Sequence, residues 1–241
     1  MTEKIEIMGI PFLNKTREQL LDSYVYPALK TRSKLFLVTA NPEIVMLAKE
    51  MEDYEETVLR ADYVIPDGTG VVLASKIMGT PLPERIPGFE LMTDLINYAD
   101  ENGLSCFFLG ASKTVNNQLV DNVRKLYPNL KIAGHHHGFF DLEDEDVVEK
   151  VVQAEADLVF VALGAPRQEK WITKHYDSFK SGLFMGVGGS FDVLAGNVKR
   201  APKIWIKLNL EWLYRLLTQP QRWKRILKVF EFIFRIIFRR Y

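Results

Sequence analysis

The chain has 241 residues, of which 47% are hydrophobic and 26% are charged. These values are ordinary for a soluble globular protein, and the length suits one large domain or one domain with an appendage. The single cysteine, Cys106, excludes a disulfide framework within the chain and fits a reducing cytosol. Because no long apolar run follows the first residues, no signal peptide is predicted.

The zero net charge hides an uneven distribution along the chain. Residues 196–241 contain twelve basic residues and only two acidic ones, Glu211 and Glu231. Residues 1–195 therefore carry a matching excess of acidic residues. A neutral chain that is divided in this way should have a tail with a partner of its own. The sequence predicts one domain over residues 1–195 and a basic appendage over residues 196–241.

The first predicted elements are a strand and two helices. The strand covers residues 5–10 at the edge of a sheet, and Pro11 ends it. The first helix covers residues 16–29, with Thr16 as its N-cap. A second helix is predicted over residues 42–59, because its first residue is a proline, which suits the first turn of a helix.

Polar side chains follow two consecutive predicted strands. The continuous apolar run 35–38 indicates a strand buried on both faces, and Thr39 and Asn41 follow it. Asp67 follows the next strand and either caps the helix that comes after it or accepts a proton from a substrate hydroxyl. In open α/β sheets, ligands bind beyond the carboxyl ends of the strands. The convergence of these side chains at one edge favours a site there.

Residues 79–88 form a predicted loop that three prolines stiffen, and Arg85 lies within it. A guanidinium beside a strand edge can hold phosphate through two parallel hydrogen bonds. Arg85 is therefore either an anion clamp or a solvated surface arginine, and its position in the sequence leaves both open.

The second half of the chain continues the alternation of strands and helices. Helices are predicted over residues 91–101 and 115–127 and from residue 166 onward, and strands over residues 106–109, 131–133, 157–163 and 183–187. Apolar strands that alternate with helices predict an α/β fold. The predicted fold is a Rossmann-like, mostly parallel sheet with helices on both faces, plus a basic amphipathic helical C-terminal appendage.

Two further motifs lie at the ends of the last two predicted strands. Gln168 and Glu169 are expected to face the crevice from the first turn of the helix that begins near residue 166. Gly188 and Gly189 form either a plain tight turn or a nest of backbone N–H groups that holds an anion. Because this turn follows a strand at the same edge, the sequence slightly favours the nest.

Two patterns invite a metal interpretation. Residues 144–146 match an acidic pattern that many sugar-nucleotide transferases use for a divalent cation, and residues 135–137 are three histidines in a row. The acidic residues open a helix, where carboxylates favour the positive end of the dipole. Adjacent histidines point in different directions, and ligand spacing is usually wider. We therefore predict no metal and no cofactor.

Two helices are predicted in the tail, over residues 205–217 and 222–238, and Pro220 separates them. The second has one side rich in phenylalanine and tryptophan, and its other side is almost purely cationic. Such a helix suits an anionic membrane interface, although charged residues interrupt the apolar stretch and make it too short to span a bilayer. Nucleic acid is a weaker candidate, because it gives no reason for so wide an apolar side.

Six motifs together resemble the WecG/TagA/CpsF glycosyltransferases of bacteria, and the resemblance is greatest to the TagA-like branch. They occur in the family's order and cover nearly the whole chain. They are Thr39-Ala40-Asn41-Pro42-Glu43, Pro66-Asp67-Gly68-Thr69-Gly70-Val71-Val72, Pro166-Arg167-Gln168-Glu169-Lys170-Trp171, Gly186-Val187-Gly188-Gly189-Ser190-Phe191-Asp192, Arg200-Ala201-Pro202 and Glu211-Trp212-Leu213-Tyr214-Arg215-Leu216.

The resemblance implies a metal-independent, inverting transfer of a sugar from a UDP-sugar to a polyprenyl-diphosphate-linked sugar at the cytoplasmic face of the cell membrane. In the TagA-like branch the sugar is N-acetylmannosamine, the acceptor is undecaprenyl-diphosphate-linked N-acetylglucosamine, and the product is the linkage unit of wall teichoic acid. The exact donor sugar and any self-association of the chain are left open.

The resemblance also implies roles for individual residues. Asp67 would be the general base. The pocket around the reacting sugars would be lined by Thr39, Asn41, Arg85 and Gln168, and the nucleotide would lie against Gly188, Gly189 and Asp192. Without a metal, backbone N–H groups or arginines must meet the charge on the departing diphosphate. The tail can supply arginines, namely Arg215, Arg222 and Arg225, and we expect it to close over the site with one or more of them.

Two other functions compete with this interpretation. The same sheet could bind a nucleotide without catalysis, as a sensor that the tail tethers to the membrane. An NAD-type oxidoreductase is disfavoured, because no strand of this sequence leads into a Gly-x-Gly-x-x-Gly motif.

Overall fold

The structure is a computed structural model that describes residues 3–202, 204–205, 211–218 and 223–238. Its centre is a single eight-stranded sheet with the order β1-β2-β4-β3-β8-β7-β5-β6. The strands are β1 (Lys4–Ile7), β2 (Ile10–Leu13), β3 (Lys34–Ala40), β4 (Tyr63–Pro66), β5 (Ser105–Gly110), β6 (Lys131–His136), β7 (Leu158–Ala162) and β8 (Gly182–Gly186). Only β1 and β2 pair antiparallel, and every other neighbouring pair is parallel.

Helices connect the parallel strands. In the α/β part of the chain they are α1 (Arg17–Leu20), which a π-helical segment (Leu21–Val25) joins to α2 (Tyr26–Lys30), then α3 (Pro42–Glu50), α4 (Glu52–Leu59), α5 (Thr69–Ile77), α6 (Gly88–Asn102), α7 (Lys113–Leu126), α8 (Glu145–Gln153), α9 (Arg167–His175) and α10 (Ser190–Leu194). The C-terminal part contributes α11 (Glu211–Thr218) and α12 (Trp223–Ile237).

The central strands are buried on both faces, as their apolar composition predicts. In β3, Phe36 and Val38 belong to the hydrophobic cluster on one face, and Leu35 and Leu37 belong to the cluster on the other. This alternation follows from the two-residue period of a strand, and it places apolar side chains under the helices of both layers. The predicted α/β fold with a mostly parallel sheet is confirmed.

The N-terminal prediction of one strand that ends at Pro11 is wrong. Residues 4–13 form a hairpin, because Met8 and Gly9 both adopt positive φ values, 51° and 77°, and turn the chain. Pro11 lies inside β2, opposite Glu6 of the edge strand β1. A proline is tolerated near the edge of a sheet, where a missing N–H donor costs less than in a central strand.

The predicted helix over residues 42–59 is two helices. Asn41 caps α3, and its Oδ1 accepts a hydrogen bond of 3.1 Å from the Ile44 N–H. Met51 has extended backbone angles, φ −134° and ψ 103°, and separates α3 from α4. Thr16 is the N-cap of α1 as predicted, and Gln19 completes a capping box.

The helix α12 packs onto the α/β part of the chain. Phe232 and Ile236 are buried in the same cluster as residues of α3 and α5. A Cβ at Gly70, near the start of α5, would lie 3.7 Å from Val229 Cγ1. The appendage therefore reaches the first turn of α5. None of the helices in the described part of the chain is both long and apolar enough to cross a bilayer.

Candidate active site

Asp67 lies at the carboxyl edge of the sheet, directly after β4. Its N–H donates a hydrogen bond of 3.0 Å to the Ala40 carbonyl at the end of β3, so the backbone continues the strand pairing by one residue. Gly68, with a φ of 123° that favours glycine, is the N-cap residue of α5. Asp67 therefore lies one residue before the capping position.

Thr39 and Asp67 converge on the first residue of α6. A Cβ at Gly88 would lie 3.0 Å from Thr39 Oγ1 and 3.4 Å from Asp67 Oδ2. The Thr39 hydroxyl also approaches the Gly186 carbonyl at the end of β8, at 3.5 Å. A glycine at position 88 thus leaves room for two polar groups from neighbouring strands. Thr39 and Asp67 converge as predicted, whereas the Asn41 side chain caps α3.

Arg85 faces Asp67 from the loop before α6. The loop is held at this point because the Ile86 N–H donates a hydrogen bond of 2.8 Å to the Pro66 carbonyl. Arg85 Nη2 lies 3.5 Å from Asp67 Oδ1 and 3.1 Å from Glu211 Oε2 of α11. The exposed fractions of the Arg85 and Glu211 side chains are 19% and 8%, and that of Asp67 is 26%. The interpretation of Arg85 as a solvated surface arginine is wrong.

One donor of the Arg85 guanidinium is not used by the contacts to Asp67 and Glu211. Its Nε is buried, and among the described residues it has no hydrogen-bond partner. A guanidinium offers five N–H donors in a planar fork that matches phosphate and carboxylate geometry. The site therefore combines the partly exposed carboxylate of Asp67 with a guanidinium whose Nε–H makes no hydrogen bond to the described residues.

A second group of polar residues occupies the edge at β7 and β8. Gln168 is buried in the first turn of α9, and its Oε1 accepts hydrogen bonds from the Gly164 and Gly188 N–H groups, at 3.2 and 3.1 Å. Its Nε2 donates a hydrogen bond of 2.7 Å to Glu169 Oε1. Gln168 thus ties the turn after β7 to the turn after β8.

Glu169 does not open onto a crevice, and the expectation that it would do so is wrong. It is 2% exposed, and its Oε2 accepts a hydrogen bond of 3.0 Å from the Tyr54 hydroxyl. Burial raises the pKa of Glu169 above that of an ordinary glutamate, and burial also raises the pKa of Tyr54. The two side chains form a sealed polar contact between α4 and α9.

In the glycine turn after β8, the Gly188 N–H donates to Gln168 Oε1 and the Ser190 N–H donates to the Val187 carbonyl, each at 3.1 Å. Gly188 has a positive φ of 50°, and Gly189 is the N-cap residue of α10. Asp192 lies half-buried in the first turn of the same short helix. A role of these residues in nucleotide binding stays a prediction.

The three tail arginines cannot be placed at the site. Arg215 lies in α11 and Arg225 in α12, but their side chains lie outside the described residues, as does the whole of Arg222.

The acidic pattern at residues 144–146 has a structural role. Asp144 is the N-cap of α8, and its Oδ1 accepts a hydrogen bond of 3.3 Å from the Val147 N–H. The interpretation as the start of a helix is confirmed. In the histidine run, His135 Nδ1 shares a hydrogen bond of 2.7 Å with Asn116 Oδ1, and burial lowers the pKa of His135.

Two contacts at the site were not predicted from the sequence, namely Arg85 with Glu211 and Glu169 with Tyr54. A signal for the first exists, because Glu211 is one of only two acidic residues in the basic tail. No comparable signal marks Tyr54.

The chain belongs to the glycosyl transferase WecG/TagA/CpsF family, whose pattern matches residues 5–241. It is therefore a glycosyltransferase. It is 45% identical over 226 residues to the N-acetylglucosaminyldiphosphoundecaprenol N-acetyl-beta-D-mannosaminyltransferase of Staphylococcus aureus strain MRSA252. The same identity is found with the protein of that name from strain NCTC 8325 / PS 47. In both comparisons the match covers 93% of this chain and 87% of the relative.

Proposed function

We propose that the protein transfers N-acetylmannosamine from UDP-N-acetylmannosamine to undecaprenyl-diphosphate-linked N-acetylglucosamine, which forms the linkage unit of wall teichoic acid. The relatives that carry the corresponding name support this substrate pair, because they match almost the whole chain. The observation that carries the mechanism is the convergence of Thr39, Asp67 and Arg85 at one edge of the sheet.

In the proposed reaction, Asp67 is the general base. The acceptor hydroxyl attacks the anomeric carbon, its proton passes to the Asp67 carboxylate, and UDP departs from the opposite side. A single displacement of this kind inverts the anomeric centre. The partial exposure of Asp67 supports the role, since a base must meet the proton it removes.

The diphosphate develops negative charge as it leaves, and this charge needs donors that are already in place. Arg85 and the backbone N–H of Gly189 are the proposed donors in the α/β part of the chain. We place Asp192 at the nucleotide, and we place Asn41 and Gln168 at the pocket wall. The tail arginines Arg215, Arg222 and Arg225 are proposed to add to these donors when the appendage covers the site, without a metal ion.

The appendage is proposed to hold the enzyme on the cytoplasmic face of the membrane. Large apolar side chains on the outer side of α12 are exposed, although Phe232 and Ile236 on its inner side are buried. The exposed residues are Trp223, Leu227, Phe230, Phe234 and Ile237. Such a side, in a segment with a large excess of basic residues, suits an anionic lipid interface.

A donor panel tests the proposed reaction. The purified full chain is mixed with a synthetic polyprenyl-diphosphate-linked N-acetylglucosamine in vesicles and with the UDP-activated forms of N-acetylmannosamine, N-acetylglucosamine or glucose. UDP release and the mass of the lipid product are measured. We expect turnover with UDP-N-acetylmannosamine, undiminished by a chelator.

The outcomes separate the proposal from its alternatives. A lipid product with another sugar would correct the donor, and loss of turnover with chelator would contradict the metal-independent mechanism. Nucleotide binding without UDP release from any donor would instead support a membrane-tethered sensor.

A further inference from the structure

Arg85 lies between two carboxylates that come from distant parts of the chain. One is Asp67, at the edge of the sheet, and the other is Glu211, the first residue of α11 in the appendage. The nearer contact is the one to Glu211, at 3.1 Å against 3.5 Å. Glu211 is also the least exposed member of this triad.

The burial of Glu211 needs an explanation beyond helix stability. A carboxylate in the first turn of a helix interacts favourably with the dipole, but a solvent-exposed position would give the same benefit. Burying a carboxylate is costly unless a cation faces it. The only other acidic residue of the tail, Glu231, is exposed and pairs with Arg235 one turn further along its own helix. Glu211 therefore makes a contact that is specific to the site.

We propose that Glu211 is a positioning residue that acts on the reaction through Arg85. Its carboxylate holds the Arg85 guanidinium from the appendage side and keeps it from closing onto Asp67. The appendage thereby sets the strength of the catalytic base, and Asp67 is a stronger base when α11 is docked than when Arg85 is free to pair with it more closely. This inference depends on the proposed role of Asp67 as general base.

The direction of the effect follows from the charges. A guanidinium that forms two parallel hydrogen bonds with a carboxylate stabilises the ionised form and makes it a weaker base. Glu211 shares the guanidinium and adds a second negative charge near Asp67, and both effects oppose that stabilisation. Removing the charge of Glu211 lets Arg85 turn to Asp67.

The test compares the pH dependence of kcat for Glu211→Gln with that for Glu231→Gln. Both substitutions remove one negative charge from the appendage and keep the shape of the side chain. For Glu211→Gln we expect the acid limb to move to lower pH by about half a unit to one unit, and kcat on the plateau to fall by about three- to tenfold. Glu231→Gln should behave like the unsubstituted protein.

A second, more conservative substitution, Glu211→Asp, keeps the test decisive if Glu211→Gln does not fold. Thermal unfolding is measured first for each variant. Glu211→Asp keeps the charge but moves it about one methylene away from Arg85, so its acid limb should move in the same direction by a smaller amount. An unmoved acid limb in the folded variants overturns the inference.

The inference and the proposed function can fail separately. Near-normal turnover by Asp67→Asn would overturn both, because no base would then be needed at this position. An inactive Asp67→Asn together with an unmoved acid limb in Glu211→Gln would overturn the inference alone.

Discussion

Two acidic side chains lie at the same edge of the sheet in opposite surroundings. Asp67 follows β4, is partly exposed and faces the Arg85 guanidinium. Glu169 lies in the first turn of α9, is fully buried, and is held by Tyr54 and Gln168. Both belong to motifs that the family resemblance covers. The presence of a carboxylate in a family motif therefore does not show what the carboxylate does. Its role depends on the groups that face it.

The contacts of Glu169 suit orientation rather than reaction. Because its carboxylate accepts from Gln168 Nε2, the other end of the Gln168 amide must present its oxygen to Gly164 and Gly188. The buried carboxylate thus fixes which way the amide points, and the amide fixes the distance between two turns. We infer that this half of the edge shapes the nucleotide side of the pocket, whereas the half around Asp67 carries the chemistry.

The same contrast between sealed and exposed side chains recurs on α12. Phe232 is 0% exposed and packs in the core with residues of α3 and α5, whereas Phe230 is 62% exposed. Two phenylalanines two residues apart on one helix thus have different surroundings, the protein core for Phe232 and solvent for Phe230. The inner side holds the appendage to the sheet domain, and the outer side is available to a surface outside the chain.

The largest expected effect comes from changing the two carboxylates to amides. Asp67→Asn should lower kcat by about 10²- to 10⁴-fold, because the amide cannot accept the acceptor's proton. Glu169→Gln should keep kcat within about threefold, since its Oε1 can still accept from Gln168 and its amide nitrogen can donate to the Tyr54 hydroxyl oxygen. Steady-state UDP release with the lipid-linked acceptor measures both. A similar loss in the two variants would contradict the division of the edge into reactive and orienting halves.

The next effect distinguishes the two sides of α12 by stability. Phe232→Ala removes a fully buried ring and should lower the free energy of unfolding by about 3–5 kcal/mol. Phe230→Ala removes an exposed ring and should change it by less than about 0.5 kcal/mol. Denaturant unfolding followed by far-UV circular dichroism measures the difference. Equal destabilisation by the two substitutions would show that the outer side is also packed.

A smaller effect concerns the lipid surface. The double variant Phe230→Ser/Phe234→Ser should weaken binding to vesicles rich in phosphatidylglycerol by roughly 10- to 100-fold, because it removes apolar area that enters the interface. Leu126→Ser is the matched control, since Leu126 is exposed at the end of α7 and lies outside the appendage. Co-sedimentation with vesicles measures binding. Equal loss in the control, or no loss in the double variant, would contradict membrane docking by this side.

The parts of the fold that follow local rules could be predicted from the sequence. Short apolar runs indicated the buried strands, and the rule that ligands bind beyond their carboxyl ends brought Thr39 and Asp67 together. The N-terminal hairpin escaped prediction, because Met8 carries no sequence signal for its positive φ. The acidic residues 144–146 were predicted to start a helix because carboxylates favour the positive end of the dipole of the helix that directly follows them, and Asp144 is its N-cap.

Contacts between distant residues could not be predicted. Arg85 and Glu211 are 126 residues apart, so their pairing depends on how the appendage packs. The apolar period of α12 showed which residues are hydrophobic, but it could not show that Phe232 and Ile236 face the core while Phe230 and Phe234 face outward. Which side of α12 faces the core depends on its packing against distant parts of the chain, and the local sequence pattern does not specify that packing.

The smallest effect is the pH dependence that the buried carboxylate gives to stability. Burial raises the pKa of Glu169 in the folded protein above the value of about 4.3 in the unfolded chain. Below the unfolded value both states are protonated and the contribution of Glu169 to stability is complete. As the pH rises toward the folded value, the unfolded chain ionises first, and the free energy of unfolding falls by up to about 1.4 kcal/mol per pH unit.

Glu169→Gln removes this dependence, because an amide does not titrate. The free energy of unfolding of the variant, measured relative to the unsubstituted protein, should therefore increase from pH 4.5 upward and level off above the folded pKa. Glu231→Gln, at an exposed position, should give a difference that does not change over the same range. A constant difference for Glu169→Gln would mean that Glu169 ionises equally easily in the folded and unfolded chains. The difference between Glu169 and Asp67 would then lie only in their exposure and contacts, and not in how easily Glu169 ionises.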